Sequence, residues 1–227
     1  MTDSKLAHPL SSVSPFFTAH PWHGVSIGKQ APYTVVAYIE IVPSDTIKYE
    51  TDKQSGFLKI DRPQKYSNYC PALYGFLPQT YCGKKVGDHC SKMMKRDGIV
   101  GDNDPLDICI LSEKPILRSN ILVDAIPIGG FRTLDGNQAD DKIIAVLKGD
   151  LVYGEITDVS QCPPNLIDRL RHYFLTYKDF PGDCQTRELE IKETFGKEEA
   201  HTIVRLAQED YINNFKSHFE IFNHANS

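Results

Sequence analysis

From Tyr33 onward the apolar positions fall in short runs with the two-residue period of strands. YTVVAYIEI is β-branched and aromatic, and IKYET and FLKID flank a short polar loop ending in Gly56, which is a hairpin pattern. ILVDAIPI, KIIAVL and the run Ile108–Leu111 predict further strands. Short strands separated by turns point to a small barrel or sandwich. The period changes in the C-terminal third. Leu166, Ile167, Leu170, Tyr173, Phe174 and Tyr177 follow Pro163 and Pro164 at helical spacing, and Ala200, Ile203, Val204, Ala207, Tyr211 and Phe215 form a second stripe. Both stripes read as core-facing helices. The outline is a mainly β (α+β) fold, a barrel followed by flanking C-terminal helices. Residues 1–32 are rich in Ser, Pro and His and read as an irregular arm, in which His20 and His23 bracket Pro21 and Trp22 as packing rather than as a metal site.

Composition narrows the class. At 227 residues, 41% apolar and 24% charged, the chain is that of one globular domain with extensions. A formal net charge of -5 argues against nucleic-acid binding through a broad basic surface. The first residues hold no apolar stretch of signal-peptide length, and no run approaches the ~18 residues of a membrane span, so a cytoplasmic protein without membrane contact is expected. Six cysteines stand apart without a C-x-x-C pair and read as free thiols. Cys82, His89 and Cys90 would make three zinc ligands with no fourth, so a surface loop is the better reading there.

The chemistry begins at GDNDPLDICIL, residues 101–111, with three aspartates at the mouth of an apolar strand. Pro105 pushes Asp104 toward an extended conformation, and in an extended chain Asp102 and Asp104 share a face. Such carboxylates either point separately into water, as turn residues do, or converge on cations. Oxygen-only donors would suit Mg²⁺. On the first hairpin strand Lys48 and Glu50 share one face, and Arg62 lies just beyond the second strand; alone, this reads as a solvated face with a cross-strand ion pair. A second acidic cluster, Asp135, Asp140 and Asp141, precedes Lys142 and another apolar strand, and alone it reads as a turn.

The order of these pieces decides more than any one of them. EIVPSDTIKYETDKQSGFLKIDR, CPALYGFLPQT, GDNDPLDICIL, ADDKIIAV and HYFLTYKDF follow one another as do the segments of the magnesium-dependent soluble inorganic pyrophosphatases. The chain strongly resembles that family from Glu40 to Lys178, with its D-x-D-P-x-D signature intact. The resemblance implies a five-stranded OB-like closed barrel within a single catalytic domain, residues 33–227. It implies hydrolysis of pyrophosphate, Mg²⁺ as cofactor and a homo-oligomer. By position, Asp102, Asp107 and Asp140 would hold two activating metal ions, with Asp107 between them. Asp104 would be the base facing the attacking water, and Glu40 would orient water. Asp135 with Asp140, and Glu50, would serve metal arriving with substrate. Lys48, Arg62, Tyr74, Lys142, Tyr177 and Lys178 match phosphate-binding positions.

Two departures stand out. Cys70 occupies the place before the proline of CPALYG where the family commonly has Tyr, and the adjacent Tyr69 would point to the opposite face. Residues 78–101 form a longer insertion, rich in lysine, that is expected to be a surface loop or an oligomer contact. Rival readings fail on particular residues. An EF-hand needs Gly where Asp107 stands. An aspartyl-phosphate nucleophile is expected at the end of an apolar strand, whereas here the strand follows the aspartates. An oligonucleotide-binding barrel would show aromatic and basic faces in place of aspartates.

Overall fold

In the computed structural model, residues 18–65, 68–177 and 189–224 are described, without the side chains of 216–224. Lys178, Cys184 and the first part of the expected N-terminal arm lie outside the described residues.

The strands are β1 (Val35–Ile41), β2 (Ile47–Thr51), β3 (Leu58–Pro63), β4 (Leu73–Phe76), β5 (Val100–Gly101), β6 (Asp107–Leu111), β7 (Ile121–Asp135), β8 (Gln138–Ala139), β9 (Lys142–Leu147) and β10 (Leu189–Gly196). The helices are α1 (Lys84–Met94), α2 (Pro164–Thr176) and α3 (Lys197–His224). β1 pairs with β4, β4 with β6, β6 with β9, β9 with β7, and β7 returns to β1. That closes a ring of five strands, the OB-like barrel, in which only β6 and β9 run parallel. Closure removes free edges from the ring. β2 and β3 form a separate hairpin.

Apolar alternation builds two cores. Ile39, Leu77, Leu106, Ile108, Ile143, Ile203 and Val204 are buried on one side with α1 and α3. Ile41, Cys109, Phe131, Ile144, Leu170 and Phe174 are buried on the other against α2. β7 runs well past the expected ILVDAIPI because Gly129 and Gly130 let neighbours close in: a Cβ at Gly130 would lie 2.5 Å from the Lys142 carbonyl and from the Phe195 ring. The hairpin forms as expected, with a bulge between Lys48 and Tyr49 that leaves Asp61 unopposed.

The insertion at 78–101 is no simple loop. It carries α1, which packs Val86, Gly87 and Cys90 into the core. A zinc triad is excluded, because Cys82 and Cys90 are buried among apolar side chains while His89 Nε2 bonds Glu199 at 2.7 Å. In the arm, Trp22 is buried and donates from Nε1 to the Thr80 carbonyl at 2.8 Å, and His23 Nδ1 meets the Tyr211 hydroxyl at 2.8 Å. Packing is the observed role there.

Asp158 ties the 3-10 turn before α2 to the start of α3. Its carboxylate accepts from Ser160 N at 3.0 Å and from Lys197 N at 2.9 Å. Burial works against the charge, but these bonds prevail and hold the carboxyl below its ordinary range. A carboxyl depressed in the folded state contributes stability at neutral pH that is lost as pH falls through its folded value. Asp158→Ala should cost about 1 kcal/mol at pH 7. The gap in melting temperature from the unaltered chain should shrink toward acid, which calorimetry at stepped pH would check; a gap independent of pH would contradict the assignment.

Candidate active site

The two acidic clusters meet because β6 and β9 are parallel neighbours. Register places Asp107 opposite Lys142, so both strands open at the same end of the barrel, and Asp140 comes with Lys142. β4 lies on the other side of β6 and brings Tyr74, whose hydroxyl donates to Asp107 Oδ2 at 2.5 Å. β1 supplies Glu40, and the hairpin covers the opening with Lys48 and Glu50. The result is a cleft of about 170 Å³ lined by Glu40, Lys48, Glu50, Asp104, Asp107, Asp140, Lys142, Tyr74 and Tyr177, with Trp22 and Phe76 forming apolar wall.

The remaining named positions lie beside it. The Asp102 carboxylate accepts from Asp104 N at 2.9 Å. Burial first, then repulsion from Asp140, pushes Asp102 up to about 8. Asp140 is likewise raised by burial and by Asp107, against the pull of Lys142, and Asp135 adds to the repulsion. Arg62 sits 5.9 Å over the Tyr177 ring at the rim. Glu40 is buried and accepts from Thr51 N at 2.7 Å; burial nevertheless lifts it to about 7.

Among the described residues, no three His, Cys, Asp or Glu side chains are gathered as a ready ligand set. A lysine occupies the middle instead. Lys142 Nζ lies 2.5 Å from Asp107 and 2.6 Å from Asp140. Burial opposes its charge, but those two carboxylates hold its ammonium well above the usual range. The donors are all hard oxygens, and one ammonium leaves Asp102 and Asp140 short of positive charge. Divalent cations fit that deficit.

Sequence reasoning missed several groups here. Lys53, on the hairpin turn, pairs with Asp104. Asp61, the bulged residue, pairs with both Lys48 and Arg62, at 2.8 and 2.5 Å. Trp22 reaches the cleft from the arm. None had a local signal, although the charge alternation of LKIDR was visible. Cys70 lies wholly inside the α2-side core, where burial raises its thiol to about 12, and Tyr69 is half exposed. The position before that proline therefore brings no hydroxyl into the cleft.

A closed five-stranded barrel whose cleft gathers carboxylates, lysines and phenols together suits a hydrolase for phosphoanhydrides. The inorganic pyrophosphatase family profile matches residues 37–212. The chain is 52% identical over 207 residues to the inorganic pyrophosphatase of Chlamydia trachomatis, covering 90% of this chain and 99% of that one. It is 33% identical over 193 residues to soluble inorganic pyrophosphatase 3 of Arabidopsis thaliana, covering 85% and 79%. The crystal structure of inorganic pyrophosphatase from Thermus thermophilus superposes with a TM-score of 0.70 at 25% identity, over 86% of this chain and 99% of that one. The chain belongs to the inorganic pyrophosphatase family.

Proposed function

We propose that residues 33–227 form one catalytic domain whose cleft hydrolyses inorganic pyrophosphate to two phosphates with Mg²⁺ as the activating cation. The supporting observation is the single cleft in which Asp104, Asp107 and Asp140 line the same space as Lys48, Lys142, Tyr74 and Tyr177. Asp102, Asp107 and Asp140 would hold the activating cations, with Asp107 as the carboxylate they would share. Asp135 with Asp140, and Glu50, would hold cation that enters with the substrate. When bound, such cations neutralise phosphate charge and lower the pKa of the attacking water.

Asp104 takes the proton from that water. For this it leaves Lys53, whose side chain is half exposed. Glu40, with its carboxyl near 7, orients the water and both donates and accepts hydrogen bonds near neutral pH. Lys48, Arg62 and Lys142 neutralise phosphoryl oxygens, Lys142 exchanging its carboxylates for substrate. The Tyr74 and Tyr177 hydroxyls donate to the charge that develops on them. Lys178 takes the same role from its place in the motif. No helix among the described residues is long and apolar enough to cross a membrane. The five cysteines among the described residues are free and buried, which suits the reducing cytoplasm, where we place the protein. We take it to work as a homo-oligomer, for which exposed Phe57, Ile60 and Leu122 offer apolar contact.

Phosphate release from pyrophosphate should require Mg²⁺, with ATP and phosphomonoesters turned over poorly. Turnover of ATP equal to or faster than that of pyrophosphate would overturn this reading.

A further inference from the structure

Helix α1 begins without a cap of its own. Gly83 stands at its N-cap with no side-chain bond, and its first turn holds no acidic residue. Four amides at a helix start need acceptors. They find one on α3. The carboxylate of Asp210, which is 5% exposed, accepts from Gly83 N at 3.1 Å, Lys85 N at 3.1 Å and Val86 N at 3.0 Å. Tyr81 N adds a second tie to α3 by donating to the Ala207 carbonyl at 2.9 Å.

The segment held in this way, 80–83, is bonded along its length to the acidic loop. Leu106 N donates to Thr80 Oγ1 at 2.9 Å, and the Tyr81 hydroxyl donates to Asn103 Oδ1 at 2.7 Å. Cys82 N donates to the Asp104 carbonyl at 2.8 Å, while Asn103 N donates to the Cys82 carbonyl at 3.0 Å. Gly101 lies so close to the Cys82 and Gly83 carbonyls that no side chain fits there. Gly87 of α1 packs on the same stretch, where a Cβ would stand 2.7 Å from Gly101 N. Between them Asn103 is held at φ +66, a left-handed conformation that costs energy outside glycine. The aspartate loop is thus held mainly from outside, its one tie of its own being the bond from Asp104 N to the Asp102 carboxylate.

We propose that Asp210 is a positioning residue for this loop. By anchoring the start of α1 it fixes 80–83, and through that segment the spacing of Asp102, Asp104 and Asp107, so that it sets their affinity for divalent cations. The proposal rests on the assignment of those aspartates to cations made above. Ligands held in place bind without a further ordering cost, and outer partners of metal ligands typically govern affinity by 10–100-fold.

Calorimetric titration of Mg²⁺ into the full chain tests this, alongside kcat and the Mg²⁺ requirement of turnover. Asp210→Asn should weaken Mg²⁺ binding about tenfold, while kcat at saturating Mg²⁺ stays close to that of the unaltered chain. Tyr81→Phe, which removes only a hydroxyl, should weaken it in the same direction by a smaller factor. Glu209→Gln, next door on α3 but bonded to the Lys85 side chain, should leave it unchanged. If Asp210→Asn melts lower yet binds Mg²⁺ as before, Asp210 is a helix cap only and the proposal fails. Should Asp210→Asn not fold, Tyr81→Phe decides: an unaltered affinity overturns the proposal and a weakened one supports it. An unaltered chain that binds no divalent cation would instead sink the cation assignment itself, and the proposal with it.

Discussion

Asp107→Asn should show almost no turnover at the Mg²⁺ concentration that saturates the unaltered chain, whereas Asp104→Asn should keep that Mg²⁺ requirement and lose kcat by roughly 10²–10⁴-fold. Both amides keep the shape of the side chain and remove its charge. Asp107 opens β6, fixed by pairing on both sides, and its Oδ2 already accepts from the Tyr74 hydroxyl and Lys142. If Asp107 is, as proposed, the carboxylate common to the cation positions, its loss should weaken each of them, so more Mg²⁺ should be needed for any activity. Asp104 sits on the loop, half exposed, with Lys53 as its partner. Its assigned task is to take a proton, and solvent base can replace that task as pH rises. The rate profile of Asp104→Asn should therefore move toward alkaline pH. Magnesium titrations of both variants over roughly pH 6–10, bracketing the pKa of about 7 to 9 for an activated water, would check this. Full rescue of Asp104→Asn by magnesium, with no improvement of Asp107→Asn, would reverse the division of roles.

Arg132→Met should destabilise the fold by about 3–5 kcal/mol, enough to lower its melting temperature by roughly 10 °C in a chain of this size. Arg132 is fully buried on β7 and pairs with Asp141 and Glu199, with Glu193 3.5 Å from its Nε. Its guanidinium stands 5.1 Å over the Phe195 ring. Removing it leaves Asp141 without its cation and Glu199 with only its bond to His89. Burial already lifts Asp141 to about 6 beside Arg132, and without that charge it should rise further. A carboxyl raised in the folded state binds more protons there than in the unfolded chain, so stability falls as pH climbs from its ordinary value to its folded one. The deficit of Arg132→Met should accordingly widen from pH 5 to pH 8. Denaturant melts at the two pH values would read it, and a deficit that narrowed would show the pair to be unimportant. Activity should suffer as well, because the Thr133 carbonyl accepts from Asp140 N at 2.9 Å while Thr133 N donates to Asp141 at 3.0 Å.

Much of the barrel was legible in local pattern, and the gaps have physical causes. β4 has four residues, one of them glycine, too short to show a period. β10 alternates charges in place of apolar residues and buries only Leu189 and Phe195. α1 buries three residues and carries no cap signal, because its cap lies on another helix. The proposed site residues were picked out by motif, since D-x-D-P-x-D and ADDK are contiguous. Lys53, Asp61 and Asp210 were not, since Lys53 and Asp210, and Asp61 in its pairing with Lys48, meet partners brought near only by folding.

The sequence by itself determined the strand and helix periods, the two acidic clusters and, through the order of five segments, membership of the pyrophosphatase family. These are properties of neighbours along the chain, where alternation and spacing carry the information. Tertiary structure alone decided that β7 closes on β1, that parallel pairing of β6 with β9 puts Lys142 between Asp107 and Asp140, and that Arg132 is a buried counter-charge on a strand. It also decided that the insertion folds as a helix braced by Asp210. Each of these depends on which distant backbone segments hydrogen-bond, and a residue's own neighbours in sequence carry no record of the partner it meets across the fold.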